Sequence, residues 1–191
     1  MDEVPDTLYI GGDESNHAGD RKKGEIIVAT FSYNESDTEV RQYPSNRKRE
    51  QVEKWLSRKG RDYWFTIRAG DQYRHNSQNL PLVIPHVIGY YLRNVHLLNY
   101  NCLPKNIHIG LDGELKRDNR DYLQDVLSEL INGEIIIRNF VKKKGKRNNM
   151  SQLVHAADVK ANDLYRSSVE ELLNHEKLVR ASKWLEPIIN Y

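Results

Sequence analysis

The chain has 191 residues and sets 29 Lys+Arg against 27 Asp+Glu, a formal net charge of +2 with 29% of residues charged. This excludes a polycationic nucleic-acid coat and an acidic tail, while 38% hydrophobic residues can bury a core and a mean hydropathy of -0.76 makes the surface broad and wet. One cysteine, Cys102, leaves no intrachain disulfide framework and no Cys-based zinc site, so a reducing, cytoplasmic setting is expected.

No run reaches the about 18 apolar residues of a membrane span, and Met1 to Asp6 is acidic where a secretory signal would be basic. Leu8-Tyr9-Ile10 reads as a short strand that ends at Gly11-Gly12 and delivers Asp13-Glu14-Ser15-Asn16. Glu25 to Tyr33 is the clearest strand, and the stretch Asn16 to Lys23 before it is short enough for a hairpin. Thr38 to Tyr43 reads as a third antiparallel strand, stopped by Pro44. Val52, Trp55 and Leu56 recur at helical spacing, giving a surface helix from Ser45 to Gly60, followed by a buried strand Tyr63 to Arg68.

Leu82 to Tyr100 is apolar almost all round, as expected of a helix packed between layers. Ile107 to Asp112 is a strand that again ends on an acid. The stripe Leu123, Val126, Leu127, Leu130 and Ile131 marks a helix stopped by Gly133, and Glu134 to Val141 marks a further strand. A basic loop, Lys142-Lys143-Lys144-Gly145-Lys146-Arg147, precedes a helix from Ser151 to about Arg166, and the residues after it read as helical. The order of elements predicts one α/β domain over 1–191, a mixed sheet with helices on its faces, with its core at about 8–166 and a helical extension at about 167–191.

Three acids stand where one cation site could use them: Asp13 and Asp112 at strand ends and Asp158 on an otherwise apolar helix. Ends of adjacent strands converge on one edge of an α/β sheet, where ligands bind. Hard cations such as Mg²⁺ take oxygen ligands and keep several waters, so a few carboxylates with substrate phosphate suffice. On the late helix His155, Asp158 and Asn162 share one stripe, with Asp163 off it. Alternation along an ideal strand sends Asp13 and Glu14 to opposite faces, so both reach one site only if the strand breaks at the Gly-Gly pair. Glu114, beyond Gly113, has weaker support. Each residue also has an ordinary reading: strand-end acids form turns, Asp112-Gly113 is a common turn pair, and Lys142 to Arg147 would serve as a solvated loop.

The residues Tyr9 to Asn16, with the pair Asp13-Glu14, resemble the opening of the ribonuclease H-like superfamily, and more distantly type 2 ribonuclease H. Asp13-Glu14-Ser15 followed by a small polar residue is similar to an uncharacterised family that opens on Asp-Glu-Ser-Gly and closes on Gln-x-Ala-Asp. Here His155-Ala-Ala-Asp158 stands in the latter place. The resemblance spans 8 to about 166 and implies a mixed sheet of about five strands with a two-metal site of Asp13, Glu14, Asp112 and Asp158 holding Mg²⁺ or Mn²⁺. The Gly-Arg-Gly that follows Asp-Glu in type 2 ribonuclease H is replaced by Ser15-Asn-His-Ala-Gly19.

The expected function is hydrolysis of phosphodiester bonds in a nucleic acid by a metal-dependent nuclease, with His155 as a proton shuttle or an orienting residue. Lys142, Lys143, Lys144, Lys146 and Arg147, with Arg47 to Arg49, are the expected phosphate contacts. The alternative is a catalytically silent nucleic-acid-binding or interaction module on the same fold. A phosphohydrolase of the Gly-x-x-x-x-Gly-Lys type is disfavoured, since that loop is absent from the sequence. The small net charge conceals a separation: acids gather at strand ends and on the late helix, Lys and Arg at 47–61 and 138–147.

Overall fold

The computed structural model describes residues 5–15, 24–43, 49–68, 79–140 and 149–180. Its centre is a mixed five-stranded sheet in the order β4-β2-β1-β5-β6: β1 Thr7–Ser15, β2 Glu25–Ser32, β4 Arg61–Arg68, β5 Asn106–Asp112 and β6 Ile135–Phe140. β2 runs antiparallel to both of its neighbours, β1 and β4, while β5 and β6 join β1 in parallel. Helices cover both faces, so the sheet is the one that the resemblance to the ribonuclease H-like fold implied. Among the described residues no helix is long and apolar enough to cross a membrane.

Alternation along the strands sorts the two faces. Leu8, Ile10, Ile27, Ala29, Phe31, Ile107, Ile109 and Leu111 pack under α2 Asn79–Tyr91 and α4 Arg117–Leu130. Tyr9, Ile26, Val28, Phe65 and Ile67 face the other way, under α5 Gln152–Arg166, which α1 Arg49–Leu56 flanks through Val52 and Trp55. The Ser151 hydroxyl caps α5 by accepting from the Val154 N–H. Ala156, Ala157 and Ala161 let the helix lie close to the sheet.

β1 does not end at Gly11-Gly12 but runs through to Ser15. The glycines serve close approach instead. A Cβ on Gly11 would lie 2.3 Å from the Leu153 carbonyl carbon, and one on Gly12 would lie 2.3 Å from Ile84 Cδ1. α5 and α2 therefore press on the same stretch of strand from opposite sides. The buried Thr30 hydroxyl donates to the Leu153 carbonyl at 2.9 Å, tying the start of α5 to β2. Gly11→Ala sets a methyl group against backbone that cannot rotate away, and it is expected to lower unfolding free energy by about 1–3 kcal/mol in urea titration. An unchanged midpoint would show that α5 can slide.

Three other expectations need correction. β3 Val40–Gln42 is not a third strand of the main sheet. It pairs with β7 Asn149–Ser151 in a separate two-stranded ribbon, after a 3-10 turn at Glu35–Thr38. The helix expected from Leu82 begins at Asn79, with Pro81 in its first turn, where a missing N–H costs nothing; it then passes through a π-helical segment Leu92–His96 into α3 Leu97–Tyr100. Beyond α5, helix is confined to α6 Val169–Leu173 within the described residues. The chain then lies along β4, where Val179 N–H donates to the Phe65 carbonyl at 2.8 Å.

Candidate acidic edge and the basic pocket beside it

The parallel register of β1 and β5 runs to Gly12 opposite Leu111, so the next residues along it are Asp13 and Asp112. Adjacent strands lie about 4.8 Å apart. Both positions fall on the α5 face, since Gly11 and Gly110, two residues earlier in each strand, point at Leu153 and Val154. From Val154 to Asp158 is one helical turn, about 6 Å of rise, and from Gly110 to Asp112 is about 6.6 Å of strand. Asp158 follows Val154 by one turn on the same helix. Asp13 is 5% and Asp158 4% exposed, so two carboxylates are held out of bulk water at this edge.

Local hydrogen bonds orient them. Asp13 Oδ1 accepts the Glu14 N–H at 2.8 Å. Asp158 Oδ1 accepts from Asn162 Nδ2 at 3.0 Å, within the stripe predicted for the helix. Asp163 instead meets Arg49, with Oδ2 3.2 Å from Nε. Glu114 is exposed beyond Gly113, whose φ of 97° turns the chain away from the strand end. Among the described residues no three Asp, Glu, His or Cys side chains close to the spacing of a metal-ion site.

Because β1 continues unbroken, Glu14 lies on the α2 face, across the sheet from Asp13. There it accepts from the Leu80 N–H at the start of α2, and burial together with the nearby Glu25 and Asp112 pushes it up to about 8. Glu25, buried at the start of β2, is raised to about 7 by desolvation, against a hydrogen bond from Asn79 and the charge of Arg68. One carboxylate oxygen of each glutamate is buried without a hydrogen bond. Nothing in the sequence marks Glu25, since an acid that opens a strand usually faces water.

This buried pair sets a pH dependence. The folded-state value of Glu14 stands above its ordinary 4.5, so the native protein holds a proton that the unfolded chain releases. Its contribution to stability is complete below pH 4.5 and lost as pH rises through about 8. In EDTA, Glu14→Gln is expected to flatten the decline in urea midpoint over that interval. An unaltered decline would remove Glu14 as its source.

His155 occupies a different setting. Its ring stacks on Tyr43 at 4.0 Å and 14°, and it lines a polar cavity of about 310 Å³ with Gln152, Arg41, Arg58 and Arg61. The cavity wall is braced by buried Asp37, which accepts from Ser32 Oγ at 2.6 Å, Trp55 Nε1 at 3.0 Å and Arg61 at 2.8 and 3.1 Å. The Lys and Arg of 47–61 stand out in the sequence as a cluster; the hub that binds one of them, 24 residues from Arg61, carries no local signal. The expected phosphate contacts Lys142, Lys143, Lys144, Lys146, Arg147, Arg47 and Lys48 lie outside the described residues.

No family model matches the sequence, and no curated protein is significantly similar to it. Among solved structures, the chain is similar to the ribonuclease H2 of Pyrococcus horikoshii OT3, with a TM-score of 0.45 and 15% identity over 94% of this chain and 86% of that one. It is also similar to the human cytomegalovirus terminase nuclease domain in a Mn-soaked crystal, with a TM-score of 0.27 and 12% identity over 77% of this chain and 50% of that one.

Proposed function

We propose that the chain is a divalent-metal-dependent nuclease that hydrolyses phosphodiester bonds at the edge where β1 and β5 end beneath α5. The observation that supports this reading is the parallel register of β1 and β5, which brings Gly12 opposite Leu111 and so leads to Asp13 and Asp112 on the face covered by α5. An all-carboxylate donor set suits Mg²⁺ or Mn²⁺. Mg²⁺ is usually held by one or two carboxylates, with waters and substrate phosphate completing its shell, so the Asp13–Asp112 pair fits without a closed protein cage. Asp158 is the third ligand in this reading, and Glu14, on the far face, tunes the edge by charge.

A cation bound there would activate water and stabilise the leaving oxygen. The chain's own work is to hold the carboxylates. The Glu14 N–H and Asn162 fix Asp13 and Asp158, and the packed face of α5 keeps them from bulk solvent. In this reading His155, the expected proton shuttle, sits on the substrate side, where its ring stacks on Tyr43.

The second reading, a silent binding module, is favoured by the lack of a three-ligand cluster among the described residues. Cleavage assays on single-stranded, duplex, hybrid and branched substrates with Mg²⁺, Mn²⁺ or EDTA separate the two. Metal-dependent cleavage supports the nuclease. Binding without cleavage under every metal supports the module.

A further inference from the structure

We infer that the cavity beside the first turn of α5 receives one nucleotide of a single-stranded nucleic acid, its phosphate on Arg41 and Arg58 and its base against the wall of Tyr43 and His155. The inference rests on the proposed nucleic-acid chemistry of the acidic edge and deepens it by naming the form of the substrate.

Size and charge select the ligand class. A cavity of about 310 Å³ is at the small end of ligand pockets, which run about 300–1,000 Å³, and suits one nucleotide unit rather than a duplex. Its lining sets three arginines, Arg41, Arg58 and Arg61, against one carboxylate, Asp37. Arg61 is committed to Asp37 through two hydrogen bonds. Arg41 pairs with Glu39, both side chains being more than half exposed at 62% and 58%, and such a pairing is weak enough to give way to a phosphate. Arg58 joins no ion pair among the described residues. Two cations are therefore available to an anion in this pocket.

The wall supplies the rest. The Tyr43 hydroxyl donates to Gln152 Oε1 at 2.8 Å, which fixes the ring that stacks on His155. Gln51 and Asn34 offer amides to a base edge. A basic pocket with aromatic sides recognises unstacked bases, which a duplex does not present. His155 is three residues from Asp158 on one stripe of α5, about 4.5 Å of axial rise, so a strand seated in the cavity leads toward the acidic edge.

The test is fluorescence anisotropy of a labelled single-stranded oligothymidylate with the full chain in EDTA, over a series of KCl concentrations. Arg41→Gln with Arg58→Gln, both exposed positions, is expected to lower the slope of log Kd against log salt by about 0.7, the value for the one phosphate of a single strand that the two arginines no longer neutralise. A duplex of equal length is expected to bind more weakly. An unchanged slope in the double variant, preference for the duplex, or no binding by the wild type overturns the inference. If the slope falls but no substrate is cleaved with any metal, the nuclease reading fails and the pocket stands. If cleavage proceeds and the double variant keeps the wild-type KM and salt slope, the pocket fails and the nuclease stands.

Discussion

Asp112→Asn is expected to lower metal-dependent cleavage by more than about a hundredfold while leaving the protein as stable as the wild type or slightly more so. Loss of a group that merely supports a metal ligand typically costs about 10–100-fold, so loss of a ligand itself exceeds that range. Stability moves the other way because Asp112 is one of the charges that raise the buried Glu14 across the sheet, and the amide removes that repulsion. Binding of a single strand in EDTA should also persist, since Arg41, Arg58 and the Tyr43–His155 wall lie apart from this residue. Lost activity with preserved folding and binding identifies a participant in the chemistry. Equal cleavage by the variant would remove the strand-end pair from the mechanism, and a lowered urea midpoint would instead mark Asp112 as structural.

The strands were legible because β-branched and aromatic runs between turn residues have few other ways to fold, and Glu25–Ser32, Arg61–Arg68 and Asn106–Asp112 lie close to where the sequence put them. Asp112 does close β5, a local feature, whereas Asp13 lies inside β1, two residues before its end. Gly11-Gly12 is ambiguous in the sequence because a glycine that breaks a strand and one that admits a helix look alike until the helix is in place; the approach of Leu153 decides it. β3 failed for a similar reason. A three-residue strand has almost no period, and its partner β7 is more than a hundred residues away, with Val40 opposite Ser151. The side of the sheet taken by Glu14 follows from the continuity of β1, because an unbroken strand sends consecutive residues to opposite faces.

The consequence is a division of labour that the linear sequence concealed. Asp13 and Asp112 stand on the α5 face, whereas Glu14 and Glu25 are buried on the α2 face with raised carboxyls. Negative charge on the α2 side makes protons harder to remove there, while the α5 side meets the basic cavity. A phosphate ester approaching from the Arg41 and Arg58 side would thus meet cationic side chains before reaching the acids.

Asp37→Asn is expected to destabilise the protein at neutral pH by about 3–5 kcal/mol, the scale for breaking one partner out of a buried ion pair. Asp37 and Arg61 have side chains only 7% and 9% exposed, so the guanidinium left behind could not recover its charge partner from water. The carboxylate accepts from Arg61, Ser32 and Trp55 at once, and an amide would turn one of those contacts donor against donor. Burial by itself would raise the Asp37 carboxyl, but the hydrogen bonds from Arg61, Ser32 and Trp55 outweigh it and hold the group below its ordinary 3.8. A depressed carboxyl contributes stability that is complete above its unfolded value and lost as pH falls through the folded one. The gap between wild type and Asp37→Asn in urea titrations should accordingly be full at pH 7 and narrow below about pH 3.8. A difference under about 0.5 kcal/mol at pH 7, the range of ordinary surface changes, would show that the hub does not hold α1 and β4 together. Asp37, Trp55 and Arg61 also form one wall of the cavity, so the same variant should weaken single-strand binding in EDTA at urea-free conditions where it is still folded. That weakening would come from a displaced wall, with the salt slope set by Arg41 and Arg58 retained, which distinguishes it from removing the phosphate-binding arginines themselves.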